Sequence, residues 1–122
     1  MFCLHNAGSV LKKNQDFKKV YSRGLYVANH LFVAYALAND LNQTRIGITV
    51  SKKVGGAVVR NRVKRLVKEY IRQRPKQENN TNKFFDIVIV ARAPAGVLPK
   101  DTAFLNVCEA MDNVTKRLEK KL

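Results

Sequence analysis

Acid is scarce in this chain. Nine Asp and Glu stand against 23 Lys and Arg in 122 residues, for a net charge of +14. The nine (Asp16, Asp40, Glu69, Glu78, Asp86, Asp101, Glu109, Asp112 and Glu119) are scattered without any paired metal-ligand spacing. Phosphodiester hydrolysis on a protein-held metal therefore has no candidate residues. Cysteine is almost as rare: Cys3 and Cys108 are far apart and without redox or metal spacing, which excludes a disulfide framework. No run of residues is apolar for long enough to span a bilayer. The opening MFCLHNAGSVL lacks the basic and apolar regions of a secretory signal, and a reducing cytoplasm fits.

What is present is 46% hydrophobic residues, enough for one domain with a modest core and too many for a disordered polycation. We expect a single domain, residues 1–122, with residues 1–10 as a flexible lead. So much uncompensated positive charge calls for a polyanion, with nucleic acid ahead of a membrane surface or an acidic protein.

LKKNQDFKKVYSRG, residues 11–24, reads as a short helix with Asn14 as its cap. Phe17, Val20 and Tyr21 share a face, and Gly24 ends the helix. LYVANHLFVAYALAND alternates as strands do, with a break at Asn29-His30; Phe32, Ala34 and Ala36 face away from Val33, Tyr35 and Leu37. A turn over 39–43 leads into TRIGITVS, with Ile46, Ile48 and Val50 on one side. After a basic helix over 57–72, Pro75 opens a polar loop. DIVIVAR, residues 86–92, is apolar throughout, as a central strand is, and APAGVLPK is irregular. Asp101 caps a final helix buried through Ala103, Val107, Ala110, Met111, Val114 and Leu118. The order is αβββαβα, an α+β sandwich on about four mixed strands, with a βαβ unit around the basic helix.

The basic helix carries the chemistry. At about 100 degrees per residue, Val59, Val63, Leu66, Val67 and Tyr70 fall on one side. Arg60, Asn61, Lys64, Arg65, Lys68 and Arg72 cover the other, with Arg62 on a flank. From 51 to 74, nine basic residues meet one acid, Glu69, whose i,i+4 partner is Arg65. A solvated helix ordinarily mixes signs; a face of one sign is built for phosphate, and a lipid headgroup is the lesser alternative. Gly55-Gly56 either lets the backbone approach a phosphate or makes a tight turn, and the sequence leaves both open. A P-loop is excluded by the glycine spacing.

The stretch RIGITVSKKVGGAVVRNRVKRLVKEYIR, with its Arg60-Asn61-Arg62 element and Lys64-Arg65, resembles the protein subunit of bacterial ribonuclease P. LKKNQDFKKVYSRG, FVAYAL and DIVIVARAPA resemble that family's first helix, second strand, and last strand with its turn. The resemblance implies a ribosomal-protein-like α/β sandwich whose βαβ crossover is left-handed, against the general rule. It implies the catalytic RNA of the enzyme as partner and precursor tRNA as substrate. Neither a membrane nor an obligate protein partner is expected. Lys53, Arg60, Asn61, Arg62, Lys64, Arg65 and Lys68 would face the catalytic RNA. Phe17, Tyr21, Tyr35, Ser51, Lys52 and Arg92 would face the 5′ leader. The three aromatics read from the residues alone as core; the resemblance sets them against unpaired bases. It also gives the enzyme its catalysis through RNA, with no catalytic protein residue and no cofactor on protein side chains, Mg²⁺ being held by the RNA.

Two other classes fit the same composition. A ribosomal protein or RNA chaperone would carry the same basic face, and only the Arg-Asn-Arg context speaks against it. A self-sufficient nuclease would need His5 and His30, which fall in the lead segment and at a strand break.

Overall fold

The computed structural model describes residues 9–41, 43–73 and 83–122. Cys3, His5, Arg74, the loop expected after Pro75 and nearly all of the 1–10 segment lie outside the described residues. The elements are β1 (Ser9–Val10), α1 (Asn14–Arg23), β2 (Leu25–Ala28), β3 (Phe32–Asn39), β4 (Arg45–Val50), α2 (Ala57–Gln73), β5 (Phe84–Ala91), a 3-10 turn (Ala93–Val97) and α3 (Ala103–Lys121). The sheet order is β1-β4-β5-β3-β2. The β4–β5 and β1–β4 pairs are parallel, and the other two are antiparallel. The four strands expected from the sequence are thus joined by a two-residue edge strand, too short to show any periodicity. The irregular APAGVLPK contains the 3-10 turn.

The apolar run of β5 takes the centre of the sheet, where both faces are covered. Alternation then sorts the side chains. Phe32, Ala34 and Ala36 of β3, Ile46 and Val50 of β4, and Ile87 and Ile89 of β5 meet α2 and α3 in the main core. Val107, Met111, Val114 and Leu118 of α3 are buried there, as the stripe requires. The opposite face holds a smaller cluster of Leu11, Val20 and Val88, flanked by Phe17, Tyr35, Leu37 and Val90. There α1 covers only part of the sheet.

Neither expected cap is used. Asn14 is the first residue of α1, and the carbonyl of Lys13 takes the N–H groups of Asp16 and Phe17 at 3.0 and 3.2 Å. Thr102, not Asp101, precedes α3, and its side chain makes no capping bond. Burial of their apolar stripes holds these helices, so a cap is dispensable. Gly24 ends α1 without a left-handed turn (φ −75). Glycine stands there because a Cβ would lie 2.6 Å from the Val20 carbonyl oxygen and 2.9 Å from that of Ala36.

Polar ties set the edges. The Asn29 amide donates to the Ala110 carbonyl at 3.0 Å, and its oxygen accepts from the N–H groups of Leu31 and Phe32. Lys121 donates to the carbonyl of Tyr26 at 3.1 Å and Arg117 to that of Ala28 at 2.8 Å. At the N-terminal end of α1, Arg45 grips Asp86 through two bonds of 2.8 and 2.6 Å and reaches Asp16 at 3.3 Å. Asn39 adds a third bond to Asp86, at 2.8 Å. Burial pushes the Asp86 carboxyl up, but the bonds from Arg45 and Asn39, with the charges of Arg45 and Lys19, outweigh it and hold it below its usual value.

A carboxylate whose folded pKa is depressed adds stability above its unfolded value, near 3.9, and loses it as pH falls through the folded value. Asp86→Asn should therefore cost about 3 kcal/mol at neutral pH, the lower end for breaking a buried pair. In urea titrations the gap from the unsubstituted protein should narrow steadily below about pH 4. A gap independent of pH would assign the loss to shape alone.

Candidate nucleic-acid interface

At the C-terminal ends of the parallel strands the chain turns sharply. The Val54 N–H bonds the Ser51 carbonyl at 3.1 Å, and the Val54 side chain is buried. Against this turn lies Gly96, where a Cβ would sit 2.1 Å from the Val54 carbonyl oxygen. The two following glycines differ in what they must do. Gly55 has φ +157 and a Cβ there would meet Val59 at 2.9 Å, whereas at Gly56 a Cβ would meet nothing within 4 Å. Gly56 contributes its carbonyl, which accepts the Arg60 N–H at 2.9 Å and starts α2.

Along α2, Val63, Val67 and Tyr70 are buried, and Val59 and Leu66 pack beside them. The Tyr70 hydroxyl donates to Asp112 of α3 at 2.5 Å, which fixes the helix pair. Asn61, Arg65 and Lys68 are exposed, as the wheel requires. Arg60 departs from it. Counted among the outward residues, it is half-buried, as Lys64 is too, and its Nε is enclosed and unpaired, because it lies on the flank opposite Arg62. Arg62 reaches the Gly96 carbonyl at 3.5 Å. The expected Arg65–Glu69 pair gives way to Glu69 with Arg72, spaced one residue closer, joined by Gln73. Bonds from Arg72 and Gln73 hold the Glu69 carboxyl down at about 2. With the only acid of the helix taken, no ion pair reaches Lys52, Lys53, Arg60, Arg62, Lys64, Arg65 or Lys68 among the described residues. Asn61, Arg62, Arg65 and Lys100 also line a groove of about 620 Å³ between α2 and the start of α3.

The other face of the sheet is aromatic. Pairing sets Tyr35 beside Val88, and Val88 beside Gly47. Phe17 lies over Gly47, where a Cβ would come within 2.6 Å of its ring. Phe17 and Tyr21 stand 6.4 Å apart by ring centroids, and Tyr21 meets Tyr35 edge-on at 5.0 Å. The Tyr21 hydroxyl shares a 3.2 Å bond with Thr49, and the residue stays 39% exposed. A fourth ring, Tyr26 on β2, lies 5.6 Å from Tyr35. The sequence reading missed it, because one tyrosine between Leu25 and Val27 carries no signal until β2 is paired with β3. Val50 and Ala91 are partners, so Ser51 and Arg92 leave the sheet side by side; both are exposed. Arg92 donates to the Asn29 carbonyl at 2.7 Å. The structure therefore gathers all six leader-side candidates on one face or its rim, and the other seven on α2 and its lead-in. Phe17 and Tyr35 are the two rings that pack against the small cluster under α1.

A model of the family described as Ribonuclease P matches residues 6–119. The chain belongs to the ribonuclease P protein family. It is 42% identical to the ribonuclease P protein component of Clostridioides difficile, over 89% of this chain and 90% of that one. With the component from Bacillus velezensis the identity is 52%, over 72% and 73%. The structure of the Staphylococcus aureus RNase P protein matches with a TM-score of 0.74 at 35% identity, covering 88% of this chain and 92% of that one. For the protein from Thermotoga maritima the TM-score is 0.69 at 30% identity, over 88% and 94%.

As a ribonuclease P protein, the chain is a subunit of an endoribonuclease and associates with that enzyme's RNA. No group of three or more His, Cys, Asp or Glu is placed to hold a metal among the described residues. Asp16 and Asp86 are already engaged by Arg45, and His30 is exposed at the β2–β3 turn. No helix among the described residues is long and apolar enough to cross a membrane.

The contact between Gly96 and Val54 sets where α2 begins. Gly96→Ala should force the two turns apart at about 1–3 kcal/mol, the usual cost of overpacking. Gly56→Ala, with open space for its methyl group, should cost far less. Thermal melts of the two variants check this.

Proposed function

We propose that this protein binds the catalytic RNA through the cationic side of α2 and receives the 5′ leader of precursor tRNA on the aromatic face of the sheet. So placed, it assists removal of the leader to give the mature tRNA 5′ end. The observation that carries the reading is the absence of carboxylate partners around the α2 cations among the described residues. Phosphates would supply that counter-charge from outside. Lys53, Arg60, Asn61, Arg62, Lys64, Arg65 and Lys68 take the catalytic RNA in this reading. The half-enclosed Arg60 and the Arg62 held near Gly96 have the least freedom left to lose on binding.

Leader nucleotides are unpaired, and their bases stack on exposed rings at about 1–3 kcal/mol each. Tyr21 and Tyr35 offer the platforms, with Phe17 fixing the helix that carries Tyr21. Ser51, Lys52 and Arg92 stand at the rim for sugar and phosphate. The protein's contribution is electrostatic and positional: it offsets repulsion between two RNAs and favours precursor over product. Chemistry at the phosphodiester, and the Mg²⁺ it uses, belong to the RNA, and the holoenzyme works in the cytoplasm.

Two measurements test the two surfaces separately. Arg60→Ala with Arg62→Ala should weaken binding of the catalytic RNA and flatten log K against log salt, by roughly 0.7–0.9 for each lost phosphate contact. An unchanged slope would remove α2 from the interface. Tyr21→Ala in the reconstituted holoenzyme should weaken precursor tRNA by about 1 kcal/mol or more while leaving mature tRNA nearly unaffected. Equal losses on both would return the ring to a packing role.

A further inference from the structure

Tyr26 is the most exposed ring of the four. It is 58% exposed, on the edge strand β2, and lies beyond Tyr35 as seen from α1. Direct pairing of Tyr26 with Tyr35 puts both side chains on the same side of the sheet, 5.6 Å apart and inclined at 35°. Neither the smaller cluster under α1 nor the main core includes it. Yet it is not loose. Lys121 lies 5.9 Å from the ring centroid while its ammonium bonds the Tyr26 backbone carbonyl at 3.1 Å. An exposed ring held at a set tilt by a cation, at the end of a row of rings, is a surface for a flat π-system.

We infer that Tyr26 extends the leader-binding face by one stacking position, so that the row Tyr21–Tyr35–Tyr26 takes one more unpaired nucleotide across β2 than the α1 cleft alone. The inference rests on the proposed leader site and deepens it. Its occupant is single-stranded RNA continuous with the leader, because the ring adjoins that face and the cation beside it suits a phosphodiester chain. A base on Tyr26 would need no particular identity, since every base offers a π-face. The ring therefore sets how many leader nucleotides are felt, not which.

The test is a leader-length series. Precursor tRNAs with leaders lengthened one nucleotide at a time are titrated against holoenzyme reconstituted with the unsubstituted protein, with Tyr26→Ala and with Tyr26→Phe. Affinity for the unsubstituted enzyme should rise with length and then level off. With Tyr26→Ala it should level off one nucleotide sooner and end about 5-fold weaker or more, the low end for a lost stacked base. Shorter leaders should bind as before, and Tyr26→Phe should behave as the unsubstituted protein. If Tyr26→Ala follows the unsubstituted curve, or weakens every leader equally, the inference fails while the leader site stands. If affinity never rises with length even for the unsubstituted protein, the leader site fails and takes the inference with it.

Discussion

Docking of α2 on the sheet is the interaction on which the rest depends. Two adjacent parallel strands, β4 and β5, can be joined only by a crossover, and the crossover must bury one side to stay on the sheet. Val63 and Val67 do so completely, each worth about 1.5–3 kcal/mol on burial. Once that side is fixed, the remaining positions of the helix have nowhere to go but outward. Like charges gathered there repel one another, and the apolar side is what holds them together. The single acid on the helix is occupied by Arg72, and the other cations are left to something outside the chain.

The same sheet separates two chemistries. One face carries α2 and α3, and the other carries α1 and the rings. Both meet at the C-terminal ends of β4 and β5, where Ser51 and Arg92 emerge together and the turn through Lys52 and Lys53 leads into α2. Two RNA segments could thus be held by one small domain without competing for the same side chains. Positional aid of this kind needs rigidity more than reactive groups. The Arg45–Asp86–Asn39 knot, the Gly96–Val54 contact and the Tyr70–Asp112 bond supply it at three separate places.

Much of this was legible in the residues. The α2 wheel named Val63, Val67 and Tyr70, the run DIVIVA named the central strand, and alternation in FVAYAL placed Tyr35 opposite Phe32. Those signals are periodic and local. What escaped depends on partners far along the chain. Arg45 and Asp86 are 41 residues apart and look like ordinary charges until β4 lies beside β5. Tyr26 is nearer, but it gains its meaning only from the register that sets it directly opposite Tyr35, which the break at Asn29-His30 does not specify, and β1 is too short to have a pattern. The caps failed for another reason: Asn14 and Asp101 are residue types that prefer cap positions, but helices packed this firmly do not require one. Arg60 was placed by angle alone, and a long side chain on a flank folds back along apolar surface.

The bonds from Arg117 and Lys121 to the β2 carbonyls have a bearing on how the chain is made. Donor and acceptor are 89 and 95 residues apart, so β2 leaves the ribosome long before its covering helix does. Through that interval the strand offers bare carbonyls to any passing backbone, the condition that invites intermolecular pairing. The surplus of positive charge is complete enough by then to keep nascent copies apart, so mutual repulsion guards an edge that the finished protein later seals with two of the same cations.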